Sequence, residues 1–455
     1  MLPEAWSKRL VDLNVTRLRA KDLAWADVAM VSGMVVQRDS ARRVICRCRD
    51  AGLTVVAGGP LFTIEHERFP EVDHFVLNEA EVTLPPFLED FANGRAKRLY
   101  TSDTFPDLAV TPAPLWHLAD LKRYGWMSIQ YSRGCPFACD FCNVTSLFGH
   151  RPRTKTPDQI LEELDGLYDA GWRSGVFFVD DNFIGKKGPL KSDLLPALIT
   201  WRKTHPGIPF NTEVSMNLAD EPELMQMMTE AGFHMVFIGI ETPDESGLAE
   251  CGKRQNQGRD LVADVKRLQR AGLQVQGGFI VGFDSDEPSI FQRQIDFIQQ
   301  SGIVTAMVGL LQAIPGTGLY KRLQREGRLL GVTSGDNVDG TTNLVPRMNA
   351  ERLRQGYLSI LKNIYAPKEY YGRIQTFLRE YKVPKEQARL QFQDVLAFAR
   401  SVWHLGIWGK GRLRYWGLLA WTQFCRPELL PVALTLAIMG YHYRKVCRLH
   451  VLKNA

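Results

Sequence analysis

Cys135, Cys139 and Cys142 stand in the run Cys135-Pro136-Phe137-Ala138-Cys139-Asp140-Phe141-Cys142, directly after the turn Ser132-Arg133-Gly134. This C-x3-C-x2-C spacing lets three thiolates wrap one metal centre from a single loop, and thiolates are the usual ligands of iron–sulfur clusters. A structural zinc site normally needs four protein ligands. His150 is the nearest candidate for a fourth, and nothing about its spacing recommends it. Three ligands on a four-iron cluster leave one iron open, which makes an incomplete set a reactive one. The remaining cysteines form no such group. Cys46 and Cys48 lie two apart in a helical pattern and cannot share a face, while Cys251, Cys425 and Cys447 are isolated and are expected to behave as small apolar residues.

Further polar residues fall where strands should end. Val179-Asp180-Asp181-Asn182-Phe183, Glu213-Val214-Ser215, Gly239-Ile240-Glu241-Thr242 and Gly278-Phe279-Ile280-Val281-Gly282-Phe283 each end or follow an apolar run. Glu213 and Ser215, two apart, share one facing of a strand. The elements that must position them are strands predicted over 128–132, 176–179, 210–214, 235–240, 274–281 and 305–311. Helices are predicted between them over 157–170, 192–204, 222–231, 259–271 and 290–301. Six βα units of this kind make an open partial (β/α)6 barrel of TIM type, with its chemistry at the carboxyl ends of the strands. One acid at a strand end is ordinarily a solvated cap; several in register with a cysteine loop point to ligand contacts.

The first hundred residues alternate strands (9–13, 27–31, 54–57, 74–77) with helices (40–51, 81–92), the pattern of a doubly wound, Rossmann-like parallel sheet covered on both faces. Such sheets bind ligands beyond the carboxyl ends of their strands. Here those ends are Ser32-Gly33-Met34, Gly58-Gly59-Pro60 and Asn78-Glu79-Ala80-Glu81. The glycines let a ligand approach the backbone, although simple βα turns would look the same. Pro106, Pro112 and Pro114 mark a linker, and after residue 345 helical pattern takes over (350–364, 368–381, 385–403). The expected domains are therefore 1–93, a linker 94–125, the barrel 126–345 and a helical region 346–455.

Composition agrees with two or three folded domains: 455 residues, 45% hydrophobic and 23% charged. No basic-then-apolar leader opens the chain and no paired cysteine spacing suggests a disulfide scaffold, so a reducing cytoplasm is expected. The net charge of +6 is uneven. Residues 400–455 carry a local +8, leaving −2 for residues 1–399. That argues against a nucleic-acid groove through the body and points to one terminal surface that prefers anions.

With its cysteine loop on the first of six βα units and an aromatic residue, Phe141, before the last cysteine, the chain resembles the radical S-adenosylmethionine superfamily. The resemblance implies a [4Fe-4S] cluster on Cys135, Cys139 and Cys142. Its open iron chelates S-adenosylmethionine, whose cleavage yields a 5'-deoxyadenosyl radical. Asp180, Asp181 and Asn182 stand where the family usually has a glycine-glycine-glutamate motif contacting the methionine ammonium. Glu213 and Ser215 would meet the ribose and methionine, Glu241 at the end of the fourth strand is a further cofactor-side position, and Gly278, Ile280 and Gly282 would lie beside the adenine. A doubly wound domain ahead of such a barrel resembles the cobalamin-binding branch that includes hopanoid methylases and the anaerobic magnesium-protoporphyrin cyclase. Ser32, Gly33, Gly58, Gly59, Glu79 and Glu81 are then the cobalamin-side positions. No Asp-x-His-x-x-Gly motif is present, so no histidine of this domain should ligate cobalt. Against the family the domain is expected to lack its first strand and helix, which would weaken cobalamin binding.

The leading expectation is cobalamin-dependent methyl transfer to an unactivated carbon of a lipid-like or other small molecule, with an electron donor such as flavodoxin or ferredoxin and no nucleic acid. Radical cyclisation or rearrangement in lipid or tetrapyrrole biosynthesis is the alternative enzyme reading, and a non-catalytic cofactor-binding remnant the alternative from another class. The tail's apolar runs, 415–421 and 429–439, are too short to span a bilayer. They are expected either to pack on the barrel or to make a peripheral membrane contact.

Overall fold

The computed structural model describes residues 1–336, 338–383 and 392–451. Four parallel strands, β1 (Val28–Ser32), β2 (Thr54–Gly58), β3 (His74–Val76) and β4 (Leu99–Tyr100), form the first sheet in the order β1-β2-β3-β4. Helices cover both faces. Ala41, Ile45 and Cys48 of the helix Arg38–Asp50 pack with Leu61, Phe62 and Phe75 on one side. Leu84 and Phe87 of the helix Ala80–Ala92 pack with Val56, Val76 and Tyr100 on the other. Residue Tyr100, expected in the linker, is thus part of the sheet. Residues 9–13, expected as a strand, are irregular. Asp12 there is taken up locally, receiving hydrogen bonds from Asn14 and from Tyr124 (2.8 Å).

The second sheet is the barrel. It holds β5 (Trp126–Ile129), β8 (Gly175–Phe178), β9 (Phe210–Glu213), β10 (Phe233–Glu241), β11 (Gln274–Val281) and β12 (Ala306–Leu310), all parallel and adjacent in that order. Between β5 and β8 lies the small antiparallel pair β6 (Ser132–Arg133) and β7 (Arg153–Thr154). Local sequence sets the helix ends. Thr156 caps Pro157–Asp169 by accepting from Gln159 N–H, and Gly232 and Gly302 close Pro222–Ala231 and Ile290–Ser301 in the left-handed region.

Burial alternates along the barrel strands in a telling way. The residues facing the helices are fully buried, whereas Ser128, Phe177, Asn211, Glu213, Phe237, Gly239, Gln276 and Met307 are partly or well exposed. The inward-facing side of the sheet is therefore not packed shut by side chains and lines a lumen that reaches its carboxyl end.

The C-terminal helices share the barrel's core. Tyr365 O–H donates to the Ala306 carbonyl (2.8 Å) and the buried Arg373 donates to Gln299 (2.6 Å). Helices Ala350–Ile364 and Pro367–Glu380 match expectation. Of the helix expected over 385–403, residues 385–391 lie outside the described residues, and Phe392–Ser401 is helical. Helix Leu430–Val446 buries Ala433, Leu436, Ala437 and Gly440, so the 429–439 run is a packed helix. Among the described residues no helix is long and apolar enough to cross a membrane.

Candidate functional site

The cysteine loop is positioned by backbone bonds before any metal is considered. Cys135 N–H donates to Gly149 O (3.3 Å), Asp140 N–H to Cys251 O (2.9 Å) and Leu319 N–H to Asp140 O (2.9 Å). Gly134 enters the loop at φ +94°, and a Cβ there would meet the carbonyls of Gly149 and Phe148 at 3.0 Å, so only glycine fits. All three thiols are free. Burial pushes each of them up, Cys142 to about 12, with Cys139 adding like charge at Cys135 and Cys142 while Lys253 opposes the rise. Among the described residues no three His, Cys, Asp or Glu side chains close on one point as a single ion requires. The thiols lie close enough to act electrostatically on one another, and thiolates are the usual ligands of iron–sulfur clusters.

The residues after β8 divide into two roles. Asp180 is buried and accepts hydrogen bonds from Tyr131 N–H (3.1 Å), Ser132 N–H and Ser132 O–H. Its carboxyl, pushed up to about 7 by burial against those bonds, braces the start of the cysteine loop. Its oxygens thus take up three bonds from the chain itself. Asp181 likewise receives Gly134 N–H (3.1 Å), and Asn182 pairs with Ser215, donating to its hydroxyl (3.1 Å) and accepting from its N–H (3.2 Å). Glu213 ends β9, its carbonyl accepting from Phe183 N–H (2.9 Å), and among the described residues its carboxyl has no hydrogen-bond partner. Burial pushes its carboxyl up to about 7, Asp181 and Asp180 add to the rise and Lys253 opposes it.

Lys253 was not among the expected site residues. It follows the helix Glu245–Glu250, bonds Glu241 at 2.7 Å, and acts electrostatically on all three cysteines and on Glu213. Glu241 takes φ +64° to present its carboxylate, and a Cβ on Gly239 would collide with both members of the pair. A lone lysine twelve residues beyond a strand end has no sequence signal; the geometry reveals it. On the neighbouring strand Gly278 pairs with Gly239 in register, Ile280 and Phe141 pack in one small cluster with Phe283 and Leu311, and Gly282 turns at φ +108° with its N–H donated to Asp286 (2.7 Å). The sequence-expected residues of β8 to β11 thus surround one barrel mouth.

The first sheet meets that mouth at both sides of its carboxyl edge. Beyond β3, Glu79 bonds Arg133 and Arg153 (both 2.7 Å), and Glu81 bonds Arg133 (2.9 Å) and Thr111 (2.9 Å). Burial pulls Glu81 up, but Arg133 outweighs it and holds the carboxyl below its usual range. These side chains, expected on the cobalamin side, tie the first domain to the residue just before Gly134. Beyond β1, Arg38 pairs with Glu65 (2.6 Å) and donates to Thr333 O (3.0 Å), while Gly335 rests on Val35 and Val36. Just past β12, Gln312 donates to Asp336 O (2.8 Å) and Asn343 exchanges two bonds of 2.8 Å with Ala313. Ser32, Gly33, Gly58 and Gly59 lie on this edge, and a Cβ on Gly59 would collide with the Ser32 hydroxyl. The edge therefore roofs the lumen.

Arg133 is the testable member of that tie. Its replacement by alanine leaves Glu81 buried without a cation, a change that costs about 3 kcal/mol or more in comparable pairs. The Arg133→Ala protein should melt several degrees lower; a melting temperature equal to wild type would show that the pair does not hold the domains together.

Comparison with known proteins agrees with this architecture. Residues 129–298 match the radical SAM superfamily model, and residues 317–454 match a domain of unknown function, DUF4070. An uncharacterized methyltransferase of Synechocystis sp. is 38% identical over 98% of this chain and 85% of its own length. The hopanoid C-2 methylase of Rhodopseudomonas palustris is 34% identical over 91% of this chain and 80% of its own. Among solved structures, the radical S-adenosylmethionine methyltransferase TsrM from Kitasatospora setae, with cobalamin and a [4Fe-4S] cluster bound, superposes with a TM-score of 0.61 at 13% identity, covering 88% of this chain and 89% of that one. The cobalamin-dependent S-adenosylmethionine radical enzyme OxsB gives 0.59 at 16% identity, over 93% and 72%. At those identities the two structures speak for the fold.

Proposed function

The chain belongs to the radical S-adenosylmethionine superfamily, as a relative of the hopanoid C-2 methylase, and we propose that it transfers a methyl group to an unactivated carbon of a lipid-like small molecule. The observation that carries this is the roof: a sheet edge with Gly58 and Gly59 closed over the barrel mouth from both sides, beside the cysteine loop. Cys135, Cys139 and Cys142 would hold the cluster, and the cobalamin would lie between the edge and the mouth. When bound, the cluster with S-adenosylmethionine supplies a carbon-centred radical and cobalamin supplies a methyl carrier.

The chain's own residues do the positioning. Asp180 and Asp181 fix the entrance of the cysteine loop through Tyr131, Ser132 and Gly134. Asn182, Ser215 and Glu213 offer polar contacts to the methionine and ribose, and Lys253 balances the negative charge of thiolates and carboxylates. The roof excludes water, which would otherwise quench a radical. A flavodoxin or ferredoxin in the cytoplasm would deliver the electron, and the basic apolar tail would bring the mouth to a membrane-borne substrate. The Synechocystis and Rhodopseudomonas relatives are named as a methyltransferase and a methylase, which favours methyl transfer over ring closure.

The test is anaerobic incubation of reconstituted protein with S-adenosylmethionine, reductant, cobalamin and a membrane lipid extract. Both 5'-deoxyadenosine and S-adenosylhomocysteine should form, with a lipid heavier by one CH2 as a methyl replaces a hydrogen. 5'-Deoxyadenosine without S-adenosylhomocysteine would sink methyl transfer.

A further inference from the structure

We infer that the corner formed by residues 400–416 docks the protein on a bilayer carrying anionic lipids. Helix Phe392–Ser401 runs on into a π-helical turn, Val402–Ile407, and the chain then reverses into helix Arg412–Cys425. The inner side of this corner is fixed. Leu405, Tyr415 and Leu418 are buried, Ser401 and Tyr415 share a hydroxyl hydrogen bond of 2.8 Å, and Trp416 donates its indole N–H to Gly406 O (3.1 Å). A Cβ at Gly411 would meet Pro367 at 2.8 Å, so the corner sits hard against helix Pro367–Glu380 and keeps one shape.

Its outer side is apolar. Trp403 is 55% exposed, Trp408 71% and Leu413 82%, with Ile407 and Trp416 also exposed. Trp403 and Trp408 meet edge to face at 6.1 Å. Single exposed apolar residues are ordinary, but five within fourteen positions of one rigid corner form a patch that needs an occupant. The charges name the occupant. Arg400, Lys410, Arg412 and Arg414 lie in the same stretch, and residues 395–416 contain no Asp or Glu. Tryptophans beside unopposed cations suit the headgroup boundary of a negatively charged leaflet, where the rings enter the interface and the cations meet phosphates. The other apolar run of the tail does not compete, because its residues are largely turned into the helical core.

This inference rests on the reading of a membrane-borne substrate, yet it can be tested without turnover. The full reconstituted chain is sedimented with phosphatidylcholine vesicles, with and without phosphatidylglycerol. Binding should be about tenfold stronger on the anionic vesicles and should weaken with salt. The surface doublets Trp408→Ser with Leu413→Ser, and Lys410→Glu with Arg412→Glu, should each lose about tenfold while keeping the wild-type melting temperature and S-adenosylmethionine cleavage. A Cys135→Ala protein should bind vesicles like wild type, which keeps failure of the radical reading separate from failure of this one. Wild-type protein that stays in the supernatant, or doublets that sediment as wild type does, would overturn the inference. A concentration-dependent dimer lost in the doublets, without vesicle binding, would overturn it in favour of a second copy of the chain.

Discussion

Replacing Cys135, Cys139 and Cys142 together by alanine should reduce bound iron from about four atoms per chain to none and abolish S-adenosylmethionine cleavage, with the fold unchanged. The separation follows from how the loop is held. Its anchors are main-chain bonds at Gly149, Cys251 and Leu319, with Asp180 bracing the approach, and none of these uses a thiol. The thiols themselves are raised by burial, so in the metal-free protein they sit protonated and neutral, and alanine replaces them without creating a charge. Iron binding must then displace protons, with Lys253 favouring the thiolates. Iron content, circular dichroism and chromatography of 5'-deoxyadenosine on the same sample decide the matter. Retained iron with retained cleavage would remove the central assignment, and loss of circular dichroism would show that the loop is built by its metal.

The parts of this molecule that were legible from its residues are those with a period or a spacing. β11 and the helices Pro222–Ala231, Ile290–Ser301 and Ala350–Ile364 fall where hydrophobic pattern and caps put them, and the cysteine spacing identifies its centre from eight residues. What was hidden depends on contacts between distant segments. Asp180 and Asp181 are neighbours of the same type, and only the fold shows that the first braces Tyr131 and Ser132 while the second receives Gly134 N–H. Glu79 and Glu81 look like ligand groups at a strand end until Arg133, fifty residues on, is seen between them. Residues 9–13 have strand composition, yet a strand forms only with a partner, and among the described residues none pairs with them. In the tail the apolar runs were visible, but which was buried depended on helix packing that no local pattern encodes.

Glu213 should make S-adenosylmethionine binding strengthen as pH rises through about 7. Its carboxyl is pushed up to about 7, first by burial and then by Asp181 and Asp180, so in acid it is neutral and near pH 8 it is ionised. S-adenosylmethionine carries a sulfonium and an ammonium against one carboxylate, and an ionised Glu213 in the lumen attracts it where the neutral acid does not. A charge-assisted hydrogen bond of this kind contributes about 1.5 to 3 kcal/mol, roughly ten- to a hundredfold in affinity. The stability sign is opposite. Because the folded pKa lies above the unfolded value near 4.5, the empty protein should lose stability as pH rises from about 4.5 to 7; S-adenosylmethionine should restore it. Glu213→Gln should therefore flatten the binding profile, weaken binding at pH 8 and raise the melting temperature of the empty protein there. Lys253 opposes the rise at Glu213, so Lys253→Met should move the inflection to higher pH. Anaerobic titration calorimetry between pH 6 and 8 on the cluster-loaded protein reads all three curves. A wild-type affinity that does not change with pH, or a Glu213→Gln protein that binds as wild type at pH 8, would place S-adenosylmethionine away from the end of β9.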